Sequence, residues 1–337
     1  MPPFLSVIVP VRDGGAAFRA CLDGLARSLE RDFELIVVDD GSRDGSAALA
    51  AGAGARVLAH PEARGPAAAR NEGARAAGGE WLVFVDADCE VHPETLGRLA
   101  AALAASPELD AAFGSYDDAP PAPGLVSRYK NLVHHWVHQR GAGEAETFWA
   151  GCGAVRRTVF LDLGGFDAGR YPRPSIEDVE LGFRLRAAGR RVLLLPDVQV
   201  RHHKRWTLAA LLRSDLGDRA LPWVELGLER GGLGGRLNLD LVGRASGVAA
   251  VGLLAGLAAA VVFPAAGLAV AAAAAGFLLI AHAGLYRLFA RRGGLRLLAA
   301  GIALHWLYFA YSSLAYAVGL ARHLAGGRGG AVTEAGR

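Results

Sequence analysis

The chain has 337 residues, of which 52% are hydrophobic and 20% charged, with 45 Gly, 15 Pro and 3 Cys. That length suits about two domains, and the apolar content excludes a disordered chain or a disulfide-rich secreted scaffold. The net charge of +3 is too small to argue for a nucleic-acid partner, and no motif of that kind offsets it.

The N-terminal part alternates strand and helix signals. Met1-Pro2-Pro3 leads straight into Leu5–Val9, a β-branched run that reads as a buried strand and not as a signal peptide. The expectation is therefore a cytoplasmic first 240 residues. Phe18, Cys21, Leu22 and Leu25 have helical spacing, which predicts a helix over 16–28. A second buried strand follows over 33–38, then a helix over 46–53 and a short strand over 56–59. Helix 67–77, strand 81–85, a Pro-initiated helix over 93–105 and strand 109–116 complete the alternation. Strands separated by helices of this length predict right-handed βαβ units and an α/β fold with a mostly parallel sheet. His134, His135 and His138 fall on a further helix over 129–139, and the i,i+4 pair His134/His138 has no evident third metal ligand. Cys21, Cys89 and Cys152 are far apart and form no CxxC pair, so they read as reduced intracellular thiols.

Ligands of parallel sheets bind beyond the C-terminal strand ends, and three such ends here are acidic. Asp13 follows the first strand, Asp39 and Asp40 end the second, and Asp86-Ala87-Asp88 ends the strand Trp81–Val85. Helix capping or turn formation is the ordinary alternative for each acid. Asp86 and Asp88 form the sharpest feature: in an extended segment residues i and i+2 project to one side, so both carboxylates face one ion. Hard oxygen donors suit Mg2+ or Mn2+.

From Ser246 onward the composition changes. Residues 246–263 carry no charge, Pro264 interrupts the run, 265–283 continue it, and a third apolar stretch covers 297–320. A membrane helix needs about 20 apolar residues, so these are three candidate spans, the first two forming a hairpin at Phe263-Pro264. Tyr286, Trp306, Tyr308 and Tyr311 suit an interface, although His305 and Trp306 fall inside the third stretch. Arg287, Arg291, Arg292 and Arg296 form a basic loop which, with Arg244, is expected on the cytoplasmic side. The stretch 206–228 interleaves leucines with Arg213 and Arg219, as in an interfacial helix pair on an anionic leaflet; packing on the catalytic domain is the alternative.

Several short motifs occur in order: Ser6-Val7-Ile8-Val9-Pro10, Val37-Val38-Asp39-Asp40-Gly41-Ser42, Arg70-Asn71-Glu72-Gly73, Val85-Asp86-Ala87-Asp88 and Glu177-Asp178 with Arg184 and Gly189. Over roughly 4–206 the chain resembles the family-two inverting glycosyltransferases of GT-A fold. The resemblance implies a nucleotide-sugar donor, a divalent metal (Mg2+ or Mn2+) and a hydroxyl acceptor. It makes Asp40 the contact to the base, with Asp39 beside it and Asp13, Pro10 and Val11 lining the same pocket. Asp86, with Ala87 beside it, faces the ribose and the metal; Asp88 faces the metal. Arg64 or Arg70 adds charge near the diphosphate. Asp178 is the implied general base, with Glu177 positioning it. Trp149, in Phe148-Trp149-Ala150-Gly151-Cys152-Gly153, stacks on a sugar ring. In the segment Val200–Trp206, some family members carry Gln or Arg where this chain has His202, which argues against processive polymer synthesis. His202 is the expected further metal ligand, with His203 next, and Arg205 and Trp206 hold the diphosphate and shape the acceptor entrance.

The expected organisation is a catalytic domain over 1–206, interfacial helices over 207–243, a transmembrane helical region over 244–325 and a flexible tail over 326–337. It implies a multi-pass protein of the cell membrane acting on a lipid-linked or envelope-glycan acceptor. Two alternatives are a nucleotidyltransferase, disfavoured by Asp13 in the loop where a Gly-rich basic loop is expected, and a non-catalytic membrane scaffold, disfavoured by the intact Asp40, Asp86, Asp88 and Asp178.

Overall fold

The computed structural model describes residues 3–230 and 240–326. The end of the expected linker, 231–239, and the expected tail over 327–337 lie outside the described residues. The chain divides into two compact units, one made of 1–123 and 131–205, the other of 124–130 and 206–337.

The first unit is a nine-stranded sheet with flanking helices. Its first half follows the predicted alternation: β1 (Leu5–Val11), α1 (Gly15–Ala26), β2 (Phe33–Asp39), α2 (Ser46–Gly52), β3 (Arg56–Ala59), α3 (Pro66–Ala76), β4 (Trp81–Val85). β1 pairs in parallel with β2 and β4, and β2 with β3. Leu5, Val7, Ile8 and Val9 are all fully buried, because helices cover both faces of this strand. α3 lies close on the sheet at Gly73, where a Cβ would stand 2.5 Å from Ile8 Cγ2. That approach is the physical reason for a glycine in the Arg70–Gly73 motif.

Beyond β4 the sheet is mixed. β5 (Cys89–Val91), α4 (Thr95–Ala105), β6 (Ala111–Tyr116), α5 (Leu125–Arg140), β7 (Gly143–Glu144), β8 (Cys152–Arg156), α6 (Arg157–Asp162), α7 (Glu177–Ala187) and β9 (Val192–His202) follow. The order is β3-β2-β1-β4-β8-β6-β9-β5, with β7 on β9. β8 is antiparallel to β4 and β6, and β5 is antiparallel to β9, whereas β6 and β9 run parallel. The expected fold class holds, with four strands that the periodicity did not reveal. α5 begins in the second unit and ends in the first.

The second unit is helical: α8 (Leu208–Arg213), a π-helical stretch Ser214–Ala220, α9 (Leu221–Glu229), α10 (Leu241–Ala259), α11 (Pro264–Ala281) and α12 (Ala283–Gly326). Three of these are long and apolar enough to cross a membrane: Leu241–Ala259, Pro264–Ala281 and Ala283–Ala325. The hairpin turn comes where Phe263-Pro264 predicts it. Gly256 and Gly267 set the close approach of α10 and α11; a Cβ on Gly256 would lie 2.8 Å from Ala271 N, and one on Gly267 would collide with the Ala260 backbone.

The basic stretch is not the expected loop. Arg287, Arg291 and Arg292 lie on helix, and the chain breaks only at Gly293-Gly294, where Gly294 has φ +63°. Leu285, Tyr286, Leu288 and Phe289 have helical spacing and are buried, which sustains the helix up to that break. Lys130 Nζ donates to the buried Asp215 at 2.6 Å, and Tyr311 OH donates to the same carboxylate at 2.5 Å.

Candidate functional site

The loops after β1 and β2 are tied together by side-chain bonds to backbone. Asp13, at φ +49°, accepts from Arg43 N at 2.7 Å, and its own amide donates to Ser42 Oγ at 2.9 Å. Gly15 N donates to Asp44 Oδ2 at 2.9 Å. Asp13 therefore braces the two loops. Val11 is buried and its carbonyl accepts from Asp40 N at 2.8 Å; Pro10 beside it is half-buried.

Asp39 and Asp40 differ sharply. Asp40 is buried; its Oδ1 accepts from Arg64 N at 2.7 Å and faces His60 Nδ1 at 2.7 Å, and its Oδ2 accepts from Gly65 N at 2.8 Å. Burial raises its pKa, but these bonds outweigh that and hold the carboxyl below the usual Asp range. His60 Nε2 faces Glu72 Oε2 at 2.6 Å, so both ring nitrogens point at carboxylate oxygens and each needs a proton. Burial opposes the charge on His60, yet Asp40 and Glu72 raise its pKa above the ordinary 6.5. Asp40 thus anchors the segment 60–65. Asp39 is as buried as Asp40, and its Oδ1 accepts from Ser42 N at 3.3 Å.

Asp86-Ala87-Asp88 is also not the extended segment that the strand ending at Val85 led us to expect. It is a β-turn, closed by Cys89 N donating to Asp86 O at 2.9 Å, and it reverses the chain into β5. The turn, not strand alternation, sets the two acids' partners: Asp86 faces Arg70 and Asp88 faces His202. Because β5 pairs with the end of β9, Cys89 lies opposite His202, whose Nε2 is 3.6 Å from Asp88 Oδ2. Burial works against the charge on Asp88, but His202 and Lys204 hold its pKa at about 2. His202 stacks face to face on Tyr116 at 4.2 Å between ring centres. Among the described residues no three His, Cys, Asp or Glu side chains converge to hold a metal ion on their own. Asp86 and Asp88 nevertheless remain about one-third exposed (31% and 28%), as hard carboxylate donors that fit a cation taking its other oxygens from a ligand.

A closed circuit of bonds joins this turn to Glu177-Asp178. Arg70 Nη2 donates to Asp86 Oδ1 at 2.6 Å, and Nη1 donates to Glu177 Oε1 at 2.9 Å. Asp178 Oδ2 accepts from Ala150 N at 3.1 Å. Next along the chain, Gly151 O accepts from Asp86 N at 3.2 Å. Asp178 is therefore one short loop from Asp86, although 92 residues separate them. Glu177 is buried, and its second oxygen accepts from Ser175 N at 2.9 Å. Asn71 exchanges two bonds with the Phe166 backbone, and Arg184 donates to the carbonyls of Leu163 and Gly165, so both motif residues hold the chain leading toward α7.

Trp149 lies over Gly151, among Tyr116, His134 and His138, with ring centres 4.9, 4.8 and 5.4 Å away. His134 and His138 belong to this aromatic cluster, their ring centres 3.9 Å apart. His203 Nε2 faces Glu90 Oε2 at 2.7 Å. Arg205 is exposed at the end of the first unit. Trp206 belongs to the second unit; it is buried, and its amide donates to Ser127 Oγ at 2.8 Å. His60 and Tyr116 were not foreseen. Each ends or follows a strand, so the strand-end rule that found the aspartates was the available signal.

Residues 6–164 match the family model described as Glycosyl transferase family 2. The PGL/p-HBAD biosynthesis glycosyltransferase of Mycobacterium tuberculosis is 36% identical over 118 residues, covering 33% of this chain and 46% of the relative. Glycosyltransferase AglE of Haloferax volcanii is 30% identical over 176 residues, covering 49% and 56%. The pre-mycofactocin glycosyltransferase of M. tuberculosis is 30% identical over 227 residues, covering 60% and 43%. The chain thus spans about half the length of these curated relatives. Among solved structures, the mannosyltransferase PcManGT from Pyrobaculum calidifontis, in complex with GDP-Man and Mn2+, superposes with a TM-score of 0.59 at 21% identity, covering 94% of this chain and 87% of that one. The fold, the order of the motifs and the family match agree: residues 6–164 are a glycosyl transferase family 2 domain of GT-A fold.

Proposed function

We propose that the chain transfers a glycosyl group from a nucleoside-diphosphate sugar to an acceptor hydroxyl by a single displacement that inverts the anomeric carbon. The observation that carries this reading is the circuit through Arg70 and Ala150-Gly151, which keeps Asp178 close to the Asp86–Asp88 turn. Asp178, half-buried at the start of α7, takes the acceptor proton as general base. The acceptor oxygen forms a bond to the anomeric carbon, and the bond from that carbon to the diphosphate oxygen breaks. Its electron pair leaves with the diphosphate. Asp86 and Asp88 would hold a Mg2+ or Mn2+ ion, with His202 beside Asp88; when bound, such an ion neutralises charge on the leaving diphosphate. Asp39 is the acid with capacity left for a donor N–H from the base, and Asp40 fixes the loop behind it.

PcManGT was solved with GDP-Man and Mn2+, which supports testing mannose nucleotides first. Three helices able to cross a membrane support an acceptor at the bilayer surface, with a lipid-linked alcohol as the class to try. The reading also places the catalytic domain on the cytoplasmic side of a multi-pass membrane protein.

The test uses the full chain in detergent, a panel of sugar nucleotides with Mn2+ or Mg2+, and extracted membrane lipid as acceptor. Transfer is expected in the wild type and lost in Asp178→Asn and in Asp88→Ala, with nucleotide binding kept in the first. Full transfer by Asp178→Asn would remove it as the base.

A further inference from the structure

Arg70 has a role that donor binding does not cover. Its guanidinium is buried, and both terminal nitrogens are committed to protein carboxylates, Asp86 at 2.6 Å and Glu177 at 2.9 Å. Its Nε is buried with no acceptor among the described residues, and the cation lies 5.6 Å over the Phe166 ring. An arginine set to grip a substrate phosphate points its fork at the opening; this one points it at two acids from distant parts of the chain. Four carboxylates stand along the circuit or beside it: Asp86, Asp88, Glu177 and Asp178. A buried charge without a partner is costly, and like charges this close repel. The cluster therefore needs a cation even when no substrate is bound.

We propose that Arg70 is a positioning residue, a resident counter-ion that holds the Asp86 turn and the Glu177-Asp178 helix start together before a divalent ion arrives, and competes with that ion for Asp86. The proposal rests on the metal-assisted reading above only in its second half; the holding role concerns the unliganded protein.

The two halves have separate readouts on the full chain in detergent. The first is hydrogen exchange, without metal, at the amides of Ala150 and Val179, both of which donate to Asp178. Arg70→Gln is expected to speed their exchange by about tenfold or more, with Arg70→Lys recovering part of the protection. The second is binding of Mn2+ alone, followed by the spectrum of the free ion. Removing a positive charge beside Asp86 is expected to tighten Mn2+ about tenfold in Arg70→Gln, while Glu177→Gln weakens it, since Arg70 then gives its charge to Asp86 alone. A merely structural arginine would not produce opposite signs at the ion. Unchanged exchange in Arg70→Gln overturns the holding role. Unchanged or weaker Mn2+ binding in Arg70→Gln, where Asp88→Ala does weaken it, overturns the competition. If Asp88→Ala leaves Mn2+ binding intact, the metal reading fails and the exchange result still decides the holding role. Should Arg70→Gln not fold, Arg70→Lys carries the test. It keeps the charge but loses the fork, so faster exchange is expected with Mn2+ affinity within about twofold of wild type. Wild-type exchange in Arg70→Lys then overturns the proposal.

Discussion

Replacing Asp40 by Asn separates two explanations for an acid at the end of β2. Asp40 is buried and meets the imidazole of His60 and the amides of Arg64 and Gly65, all within 2.8 Å. Asn keeps one acceptor oxygen and turns the other position into a donor. Either the amide of Gly65 or the pair formed by His60 and Arg64 then faces an N–H group. The charge opposite the His60 imidazolium also disappears. Breaking a buried charge pair by removing one partner costs about 3–5 kcal/mol, and hydrogen bonds to charged groups contribute about 1.5–3 kcal/mol each. Asp40→Asn is therefore expected to lose about 3–5 kcal/mol of stability in the first unit. Asp39→Asn disturbs only the 3.3 Å bond from Ser42 N, and the Asn oxygen still accepts it, so the expected loss is under about 1 kcal/mol. Nucleotide binding should show the reverse order. If Asp39 accepts an N–H from the base, Asp39→Asn costs about 1.5–3 kcal/mol of affinity, roughly 10- to 150-fold. The assay pairs thermal melting of the full chain, with hydrogen exchange at Arg64 and Gly65, against titration with nucleoside diphosphates. If Asp40→Asn melts like the wild type and loses nucleotide binding while Asp39→Asn binds normally, the base contact is Asp40 and the reasoning here is wrong.

Four further outcomes are expected of the same protein. His60 has a pKa raised above its ordinary 6.5, so its contribution to stability is full below that pH and is lost as pH rises through the raised value; melting of wild type should fall over that window, and His60→Gln should flatten the dependence. Asp178→Asn is expected to lower transfer by about 10²- to 10⁴-fold in single-turnover assays, with little change in nucleotide affinity. Gly65 has φ +90° and a Cβ there would collide with the Pro172 carbonyl oxygen, so Gly65→Ala should destabilise by about 2–4 kcal/mol in chemical or thermal unfolding. Gly267→Val places branched carbons against the Ala260 backbone and should open the α10–α11 hairpin, read as loss of cross-linking between cysteines introduced on the two helices.

The parallel half of the fold was legible because its strands are buried on both faces and so are uninterrupted apolar runs between amphipathic helices. Residues 5–9, 33–38 and 81–85 announce themselves in this way. β8 and β9 do not. Cys152–Arg156 begins with two small residues, and Val192–His202 carries Pro196, Asp197 and Gln199 within its length. Their strand character comes from partners far away in sequence, β4 and β6 for the first and β5, β6 and β7 for the second. The basic segment after α11 failed for the opposite reason. Its arginines suggested a loop, whereas the buried stripe Leu285, Tyr286, Leu288 and Phe289 keeps it helical up to Gly293.

The site was legible as a set of residues and much less so as a set of roles. Acids at strand ends are visible in any linear reading, and their order supports the family resemblance. What distinguishes Asp39 from Asp40 is the arrival of His60, Arg64 and Gly65 from the far side of β3, and no spacing rule encodes that contact. Glu177 and Asp178 are likewise adjacent in sequence and unlike in use, since one is buried against Arg70 while the other accepts from Ala150. A single turn of helix start thus provides both a brace and a candidate base. The brace exists only because α3 delivers a buried arginine between it and the turn after β4. Conserving the charge pattern while moving any one of these three elements would leave the motifs intact and separate Asp178 from Asp86, so it is the packing of α3 on β1, at Gly73, that turns the motifs into a site.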